Sequence, residues 1–345
     1  MNAAVLHRTG EALVIETDIE IPALRRGQVL VRVHFSGVCH SQLMEVEGLR
    51  GEDRFLPHML GHEGSGEVVD VGEGVTKVKK GDQIVMGWIK GEGLDGGGAQ
   101  YKQNGRVINA GGVTTFSDYA VISENRCVPL PAGVPMNIAV LFGCAVPTGA
   151  GIALNQARPE PGSSVAVIGL GGIGLSALMG VALHDCAKII AIDVSEEKLG
   201  LARELGATHA INAATEAPLE SVMKLTDGKG LDICIEAAGT TATIEMAFDM
   251  IRRGGGRCVF ASHPAHGQKI AIDPFELICG KHIEGSWGGG CAPDRDVPIF
   301  AGHYHSGKLP LERLLSKTYS LNEVNQALDD LKNKRIARAL LKISG

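Results

Sequence analysis

The segment SVAVIGLGGIGLSALMGVAL narrows the folds open to this chain more than any other stretch. Its run Val165–Ile168 has the unbroken hydrophobicity of a strand buried on both faces. Directly after it come Gly169-Leu170-Gly171-Gly172-Ile173-Gly174 and a segment, Gly174–His184, that reads as helix. Gly169 permits a tight turn, Gly171 lets the backbone approach a pyrophosphate, and Gly174 lets the helix pack closely on the strand. The free N–H groups and the dipole at that helix start favour phosphate. The next predicted strand, Ile189–Ile192, leads into Asp193. A carboxylate there can accept hydrogen bonds from adenosine ribose hydroxyls and repels a 2′-phosphate, so the pattern points to NAD rather than NADP. Ser195 then starts a helix that runs through Leu205, with Glu196 and Glu197 in its first turn and Gly206 as its stop. Strands are predicted at Asp232–Glu236 and Arg257–Ala261, with a helix over Thr241–Met250 between them. This alternation predicts an α/β fold with a doubly wound parallel sheet.

The rest of the chain reads differently. Its 345 residues give a prior of two domains. Up to about residue 146 the signals are strands and turns, at Val29–Phe35, Gly64–Val71 and Gly81–Val85. A helix over Leu321–Asn333 and a closing strand at Ala339–Ile343 end the chain. The net charge of −6 argues against a nucleic-acid surface or a polybasic membrane surface. No run of 18 apolar residues exists, so no membrane-spanning helix is expected. The start, MNAAVLHRTGEALVIE, lacks the basic flank, apolar stretch and cleavage site of a signal peptide. The eight cysteines are scattered without a CxxC, as in reduced thiols of a cytoplasmic protein. Cys234 and Cys258 sit in apolar runs and read as core.

Three turn-rich motifs ahead of the fingerprint carry metal-ligand chemistry. They are Gly37-Val38-Cys39-His40-Ser41, Gly61-His62-Glu63-Gly64 and Gly143-Cys144-Ala145-Val146-Pro147-Thr148-Gly149. Cys39, His62 and Cys144 would supply two thiolates and one imidazole, the donor set of a catalytic zinc with one open position. Their wide separation leaves that set and a set of ordinary core thiols both open on spacing alone.

The order and spacing of GVCHS, PHMLGHEGSGEVVDVGEGV, GCAVPTGAG, GLGGIGLS and IAIDVSEEK resemble the zinc-dependent alcohol dehydrogenases of the medium-chain dehydrogenase/reductase family. The likeness covers essentially the whole chain and is closest to the class III-like members. It implies a GroES-like, β-rich catalytic domain, split in sequence over 1–146 and 289–345, and a Rossmann coenzyme domain over 147–288. It implies one catalytic zinc on Cys39, His62 and Cys144, with Glu63 behind the metal and able to bind it transiently. Ser41 falls on the hydroxyl that hydrogen-bonds the substrate oxygen, and Trp88 on a substrate-pocket aromatic. His40 and Arg338 fall on pyrophosphate-side positions, Thr148 beside the nicotinamide, and Asp193 with Lys198 on the ribose side. The implied reaction is reversible, NAD-linked oxidation of an alcohol to an aldehyde or ketone, by a homodimer or homotetramer.

Departures from the family pattern qualify these expectations. The stretch from Gly87 to Phe116, where many relatives carry four cysteines around a structural zinc, has none. A four-thiolate site cannot form from it, and it reads as a solvent-exposed flexible excursion. Gln42 stands where an acid usually supports the ligand histidine; its amide is expected to accept the same hydrogen bond while raising imidazole basicity less. Met44 stands where some relatives end a proton relay on a His, so His40, the ribose or bulk water would finish it. Three other readings accompany the main one. They are glutathione-dependent formaldehyde oxidation, a pathway-specific carbonyl reductase for a bulky substrate, and a non-catalytic NAD-binding protein. The segment PFELICGKHIEGSW, with Arg257–Ala261 before it, could supply a surface for dimerisation by sheet continuation, but its ordinary reading is buried core strands.

Overall fold

The computed structural model describes residues 1–344. The chain divides into two compact units. One comprises Met1–Cys144, Ala292–Ser306 and Leu311 to the end of the described chain; the other comprises Ala145–Cys291 and Gly307–Pro310.

The second unit is built on a six-stranded parallel sheet. Across it the strands run His209–Asn212, Lys188–Asp193, Ser164–Ile168, Ile233–Glu236, Arg257–Phe260 and His282–Gly285. The chain reverses direction across the sheet at Ser164–Ile168, which places the fingerprint at the switch point where open α/β sheets bind ligands. The helix after it covers Gly172–Val181, starting two residues earlier than the sequence suggests and stopping at Val181. It is apolar all round and almost wholly buried, as a central helix must be. Ser195 caps the helix Glu196–Glu204 by accepting from Lys198 N, and Thr240 with Thr243 forms a reciprocal cap on Thr241–Met250. Cys234 and Cys258 are fully buried neighbours on adjacent strands.

The segment PFELICGKHIEGSW is not core. It forms a short helix, Pro274–Ile278, without a buried residue, and the strand His282–Gly285, which has only one neighbour in the sheet. Phe275, Ile278 and Trp287 are 57%, 79% and 78% exposed. Its apolar residues look like core in sequence because nothing local marks a strand as the last of its sheet.

In the first unit the long strand Gln28–Val38 is the organiser. It pairs antiparallel with Gly64–Val71, Tyr119–Ser123 and the C-terminal strand Ala339–Lys342. The last pairing returns the chain end to the N-terminal sheet and explains why this unit is split in sequence. Alternate residues Val29, Val31 and Val33 face a core with Val68, Ile84, Met86 and Ile122, as period-two burial requires.

The cysteine-free stretch is ordered, contrary to the expectation of a flexible excursion. Ala99–Gln103 and Arg106–Ala110 form an antiparallel hairpin around Asn104-Gly105, both with positive φ, the preferred two-residue turn. Tyr101 is fully buried, and its hydroxyl accepts from Val121 N at 2.7 Å. The preceding glycine-rich segment is tied down by carboxylates. Asp294 accepts from Glu92 N at 2.7 Å, while Glu124 accepts from Leu94 N through Oε2 and from Thr76 N and Lys77 N through Oε1, all within 2.8 Å. Burial pushes the Glu124 carboxyl up, but these three donors outweigh it and hold the pKa below its ordinary value. A lowered carboxylate stabilises the fold at neutral pH and loses that contribution as pH falls through its folded value. Glu124→Ala leaves three N–H groups without their acceptor and is expected to destabilise the chain by about 2–4 kcal/mol. A thermal midpoint unchanged from the parent would refute that role.

No single helix among the described residues is long and apolar enough to cross a membrane.

Candidate metal centre and dinucleotide site

Three backbone features bring the metal-ligand motifs together in the first unit. Cys39 follows the end of the strand Gln28–Val38 and is the N-cap of the helix His40–Val46. His62 lies in the turn between His58–Met59 and Gly64–Val71, after Gly61 with φ of +91°. Cys144 follows the short helix Val140–Gly143. One ligand atom from each of Cys39, His62 and Cys144 lies within 4.8 Å of the other two. The cysteines are 7% and 4% exposed. His62 Nε2 is buried and has no hydrogen-bond partner. A buried ring nitrogen seldom lacks a partner in a folded protein, and facing two thiols it has the arrangement of a donor awaiting a cation.

The thiols themselves separate ligand from core. The hydrogen bond from Cys144 holds the Cys39 thiol well below its ordinary pKa, with His62 and the Arg338 charge adding to it against burial. Burial instead pushes Cys127 and Cys258 up to about 12, and Cys234 well above its ordinary value. A thiolate is the ligand form, so Cys39 is poised for a metal and those three are not. The two-Cys, one-His set therefore fits zinc.

Glu63 lies next to His62, fully buried, and pairs with Arg338 Nη2, itself 3% exposed. Sequence reasoning missed this pair. It also missed why glycines stand near both ligand cysteines. A Cβ on Gly37 would lie 2.2 Å from Glu63 Oε1, and one on Gly143 2.8 Å from Glu63 Cβ and 2.3 Å from Met86 O. These two glycines make room for the buried carboxylate. The Glu63 carbonyl is held by Ser36 Oγ and Thr115 Oγ1 at 3.1 and 2.9 Å. The structure thus places Arg338, matched above to a pyrophosphate position, on Glu63, with its Nε buried and without a partner.

Gln42 departs from expectation. It is 1% exposed, and its Oε1 accepts from Cys39 N at 2.9 Å, closing the helix cap. That backbone N–H can only donate, so the amide oxygen must face it, and the Nε2 donor end is what meets His62 Nδ1. The amide does not accept from the ligand histidine. Ser41 Oγ, half-buried, lies 3.3 Å from the same Nδ1. His40 is exposed at the start of the helix, and Met44 is 7% exposed. Trp88 is half-buried, and its backbone N–H donates to Gly143 O, next to Cys144 in the chain.

In the second unit the fingerprint glycines have distinct causes. Gly169 has φ of +84°, and a Cβ there would lie 2.6 Å from Ala238 N. A Cβ on Gly174 would lie 1.8 Å from Gly169 O, whereas one on Gly171 would meet nothing within 4 Å. Gly169 and Gly174 are fixed by packing, and Gly171 faces open space suited to a ligand. Gly172 opens the helix, and Ile173 is half-buried in its first turn. Asp193 accepts from Leu170 N at 2.6 Å and from Ser195 N at 2.9 Å, so it anchors the fingerprint turn to the next strand. Each of its oxygens keeps a second lone pair for a hydroxyl. Lys198 is half-buried in the first turn of the following helix. Thr148 is 4% exposed, and its Oγ1 has no partner.

Comparison with known proteins agrees with both units. Residues 25–132 match the alcohol dehydrogenase GroES-like domain and residues 172–300 the zinc-binding dehydrogenase domain. The chain is 33% identical to an S-(hydroxymethyl)glutathione dehydrogenase of Escherichia coli O139:H28, over 99% of each. It superposes on benzyl alcohol dehydrogenase from Acinetobacter calcoaceticus with a TM-score of 0.90 at 29% identity, over 99% of both chains. The alcohol dehydrogenase TADH from Thermus sp. ATN1 aligns over the full length of both chains, with a TM-score of 0.83 at 26% identity. With both domain matches and end-to-end likeness on top of the Cys39–His62–Cys144 cluster, the chain belongs to the zinc-dependent alcohol dehydrogenases of the medium-chain dehydrogenase/reductase family.

Proposed function

We propose that this chain catalyses the reversible, NAD-linked oxidation of an alcohol to an aldehyde or ketone, with one zinc per chain held by Cys39, His62 and Cys144. The observation that carries the reading is the unpartnered His62 Nε2 beside two thiols, one of them held in its thiolate-favouring range. Two thiolates and one imidazole are the donor set of alcohol dehydrogenase catalytic zincs. Bound there, zinc supplies the positive charge that makes an alcohol hydroxyl a far stronger acid. NAD supplies the hydride acceptor, and the protein's part is to place and shield it.

The remaining roles belong to the chain. Ser41 takes the alcohol proton through its hydroxyl, and because Met44 cannot carry a proton, His40 or water completes its transfer to solvent. Trp88 forms a wall of the substrate pocket. Glu63 stands as an alternative oxygen donor to the metal, tethered by Arg338. Thr148, Lys198 and the Gly169–Gly174 turn hold the coenzyme; family likeness alone gives His40 and Arg338 a pyrophosphate role, and Arg338 is taken up by Glu63. Asp193 selects NAD. We assign 1–146 and 289–345 to the GroES-like domain and 147–288 to the coenzyme domain. The exposed edge strand His282–Gly285, with Phe275, Ile278 and Trp287 around it, supports assembly into a homodimer or homotetramer by sheet continuation. Reduced thiols suit a cytoplasmic enzyme.

Asp193→Gly is expected to narrow the NAD-over-NADP ratio of kcat/KM by at least about tenfold, equivalent to about 1.4 kcal/mol. NAD affinity falls in the same variant, because Leu170 N and Ser195 N lose their acceptor. An unchanged ratio refutes the selecting role. A second reading, oxidation of the glutathione adduct of formaldehyde, is favoured by the 33%-identical relative. NADH formation from that adduct, set against plain alcohols, separates the two.

A further inference from the structure

The arrangement around His62 leaves one question about its proton. A neutral imidazole carries a single N–H, and a ring that gives its Nε2 lone pair to a metal must carry that proton on Nδ1. Nδ1–H then needs an acceptor. In zinc proteins this acceptor is normally a carboxylate or carbonyl that fixes both the tautomer and the ring. Here the residue in that place offers the wrong end. Gln42 Oε1 is committed to Cys39 N–H, a group that can only donate, so Gln42 presents N–H to the ring. Turning the amide over does not help, because its NH2 would then face Cys39 N–H. Either way two donors meet in a site where Gln42 is 1% and Cys39 7% exposed. As placed, the Gln42 contact favours the opposite tautomer, with the proton on the Nε2 that should bind metal.

The other oxygen in contact with Nδ1 is Ser41 Oγ, at 3.3 Å. A hydroxyl rotates freely, so it can accept from Nδ1–H and still send its own proton elsewhere. We infer that in this chain Ser41, not residue 42, is the positioning residue that accepts the His62 Nδ1–H and so fixes the metal-binding tautomer. The inference rests on the Cys39–His62–Cys144 zinc reading. It makes Ser41 serve two groups at once, accepting from the ligand ring through one lone pair and from the alcohol hydroxyl through the other, while its own proton passes on toward solvent. Metal retention in this chain therefore depends on a hydroxyl that in the implied mechanism only handles a proton.

The test is zinc affinity, read by competition with a chromophoric chelator on the full chain, with circular dichroism as the folding control. Ser41→Ala is expected to weaken zinc binding about 10–100-fold, the range for loss of such a partner. Ser41→Thr, which keeps the hydroxyl, is expected to retain it within about threefold. Gln42→Glu has the same reach as Gln42 but two acceptor oxygens, one for Cys39 N–H and one for Nδ1–H. In that background the Ser41→Ala loss is expected to disappear. This non-additivity separates tautomer control from the added charge alone, which leaves the Ser41→Ala loss the same in both backgrounds. A parent chain that binds zinc while folded Ser41→Ala binds it equally well overturns the inference and leaves the zinc site standing. An equal Ser41→Ala loss in both backgrounds also overturns it. A folded parent chain that takes up no zinc removes the zinc reading itself, and the inference with it.

Discussion

Cys39→Ser is expected to lower turnover by at least roughly 10⁴-fold while leaving NAD affinity within about twofold. The two halves of this expectation come from separate parts of the chain. A serine hydroxyl stays protonated where the Cys39 thiol is held toward thiolate, so the cluster loses one of its three donors. Zinc brings the pKa of bound water from 15.7 to about 7. Nearly nine units at 1.36 kcal/mol each is on the order of 12 kcal/mol for stabilising the oxyanion form. Losing even half of that, about 6 kcal/mol, exceeds a 10⁴-fold rate effect. The coenzyme side is untouched, because the fingerprint turn, Asp193 and Thr148 lie in the other compact unit. Steady-state NADH formation and fluorescence titration of NADH read the two halves independently. Turnover equal to the parent contradicts the zinc mechanism; a matching loss of NADH binding shows that Cys39 supports more than the metal.

The Glu63–Arg338 pair should give the largest stability effect of any single change near the site. Both side chains are within 4% of complete burial, and Glu63 Oε2 and Arg338 Nε have no partners. Arg338→Met leaves an uncompensated buried carboxylate, and breaking a buried pair in this way costs about 3–5 kcal/mol. Replacing both partners, Glu63→Gln with Arg338→Met, removes the stranded charge and is expected to recover part of the loss. Denaturant unfolding of the parent, the single and the double variant measures this. A single variant as stable as the parent, or a double variant no more stable than Arg338→Met alone, refutes the pairing as the dominant role of Arg338.

Local signals carried most of the fold. The helix over Thr241–Met250 and the strand Gly64–Val71 stand where the sequence reading puts them, because their signals are written in neighbouring residues. The fingerprint glycines were legible for the same reason. Other features were not. Glu63 and Arg338 are 275 residues apart, and only the pairing of the strands Gln28–Val38 and Ala339–Lys342 brings their neighbourhoods together. The flanks of the ligand cysteines did carry a signal, the glycines Gly37 and Gly143, but its meaning depended on a carboxylate arriving from elsewhere. The stretch from Gly87 to Phe116 looked loose because its glycines suggest mobility. Its order comes from Glu124 and Asp294, acids outside it, and from a strand pairing invisible in its composition. In sequence Gln42 resembles a weaker version of an acid, and only the Cys39 N–H that claims its oxygen shows that it faces the ring with a donor.

The measurement that bears most directly on the central claim is zinc per chain, by elemental analysis of folded protein washed with chelator and then offered zinc. About one zinc per chain is expected in the parent, as for a three-ligand catalytic site, and close to none in Cys39→Ser. A folded parent that holds no zinc after it is offered back contradicts the zinc site, and leaves Cys39, His62 and Cys144 as two buried thiols and a half-buried imidazole that happen to meet.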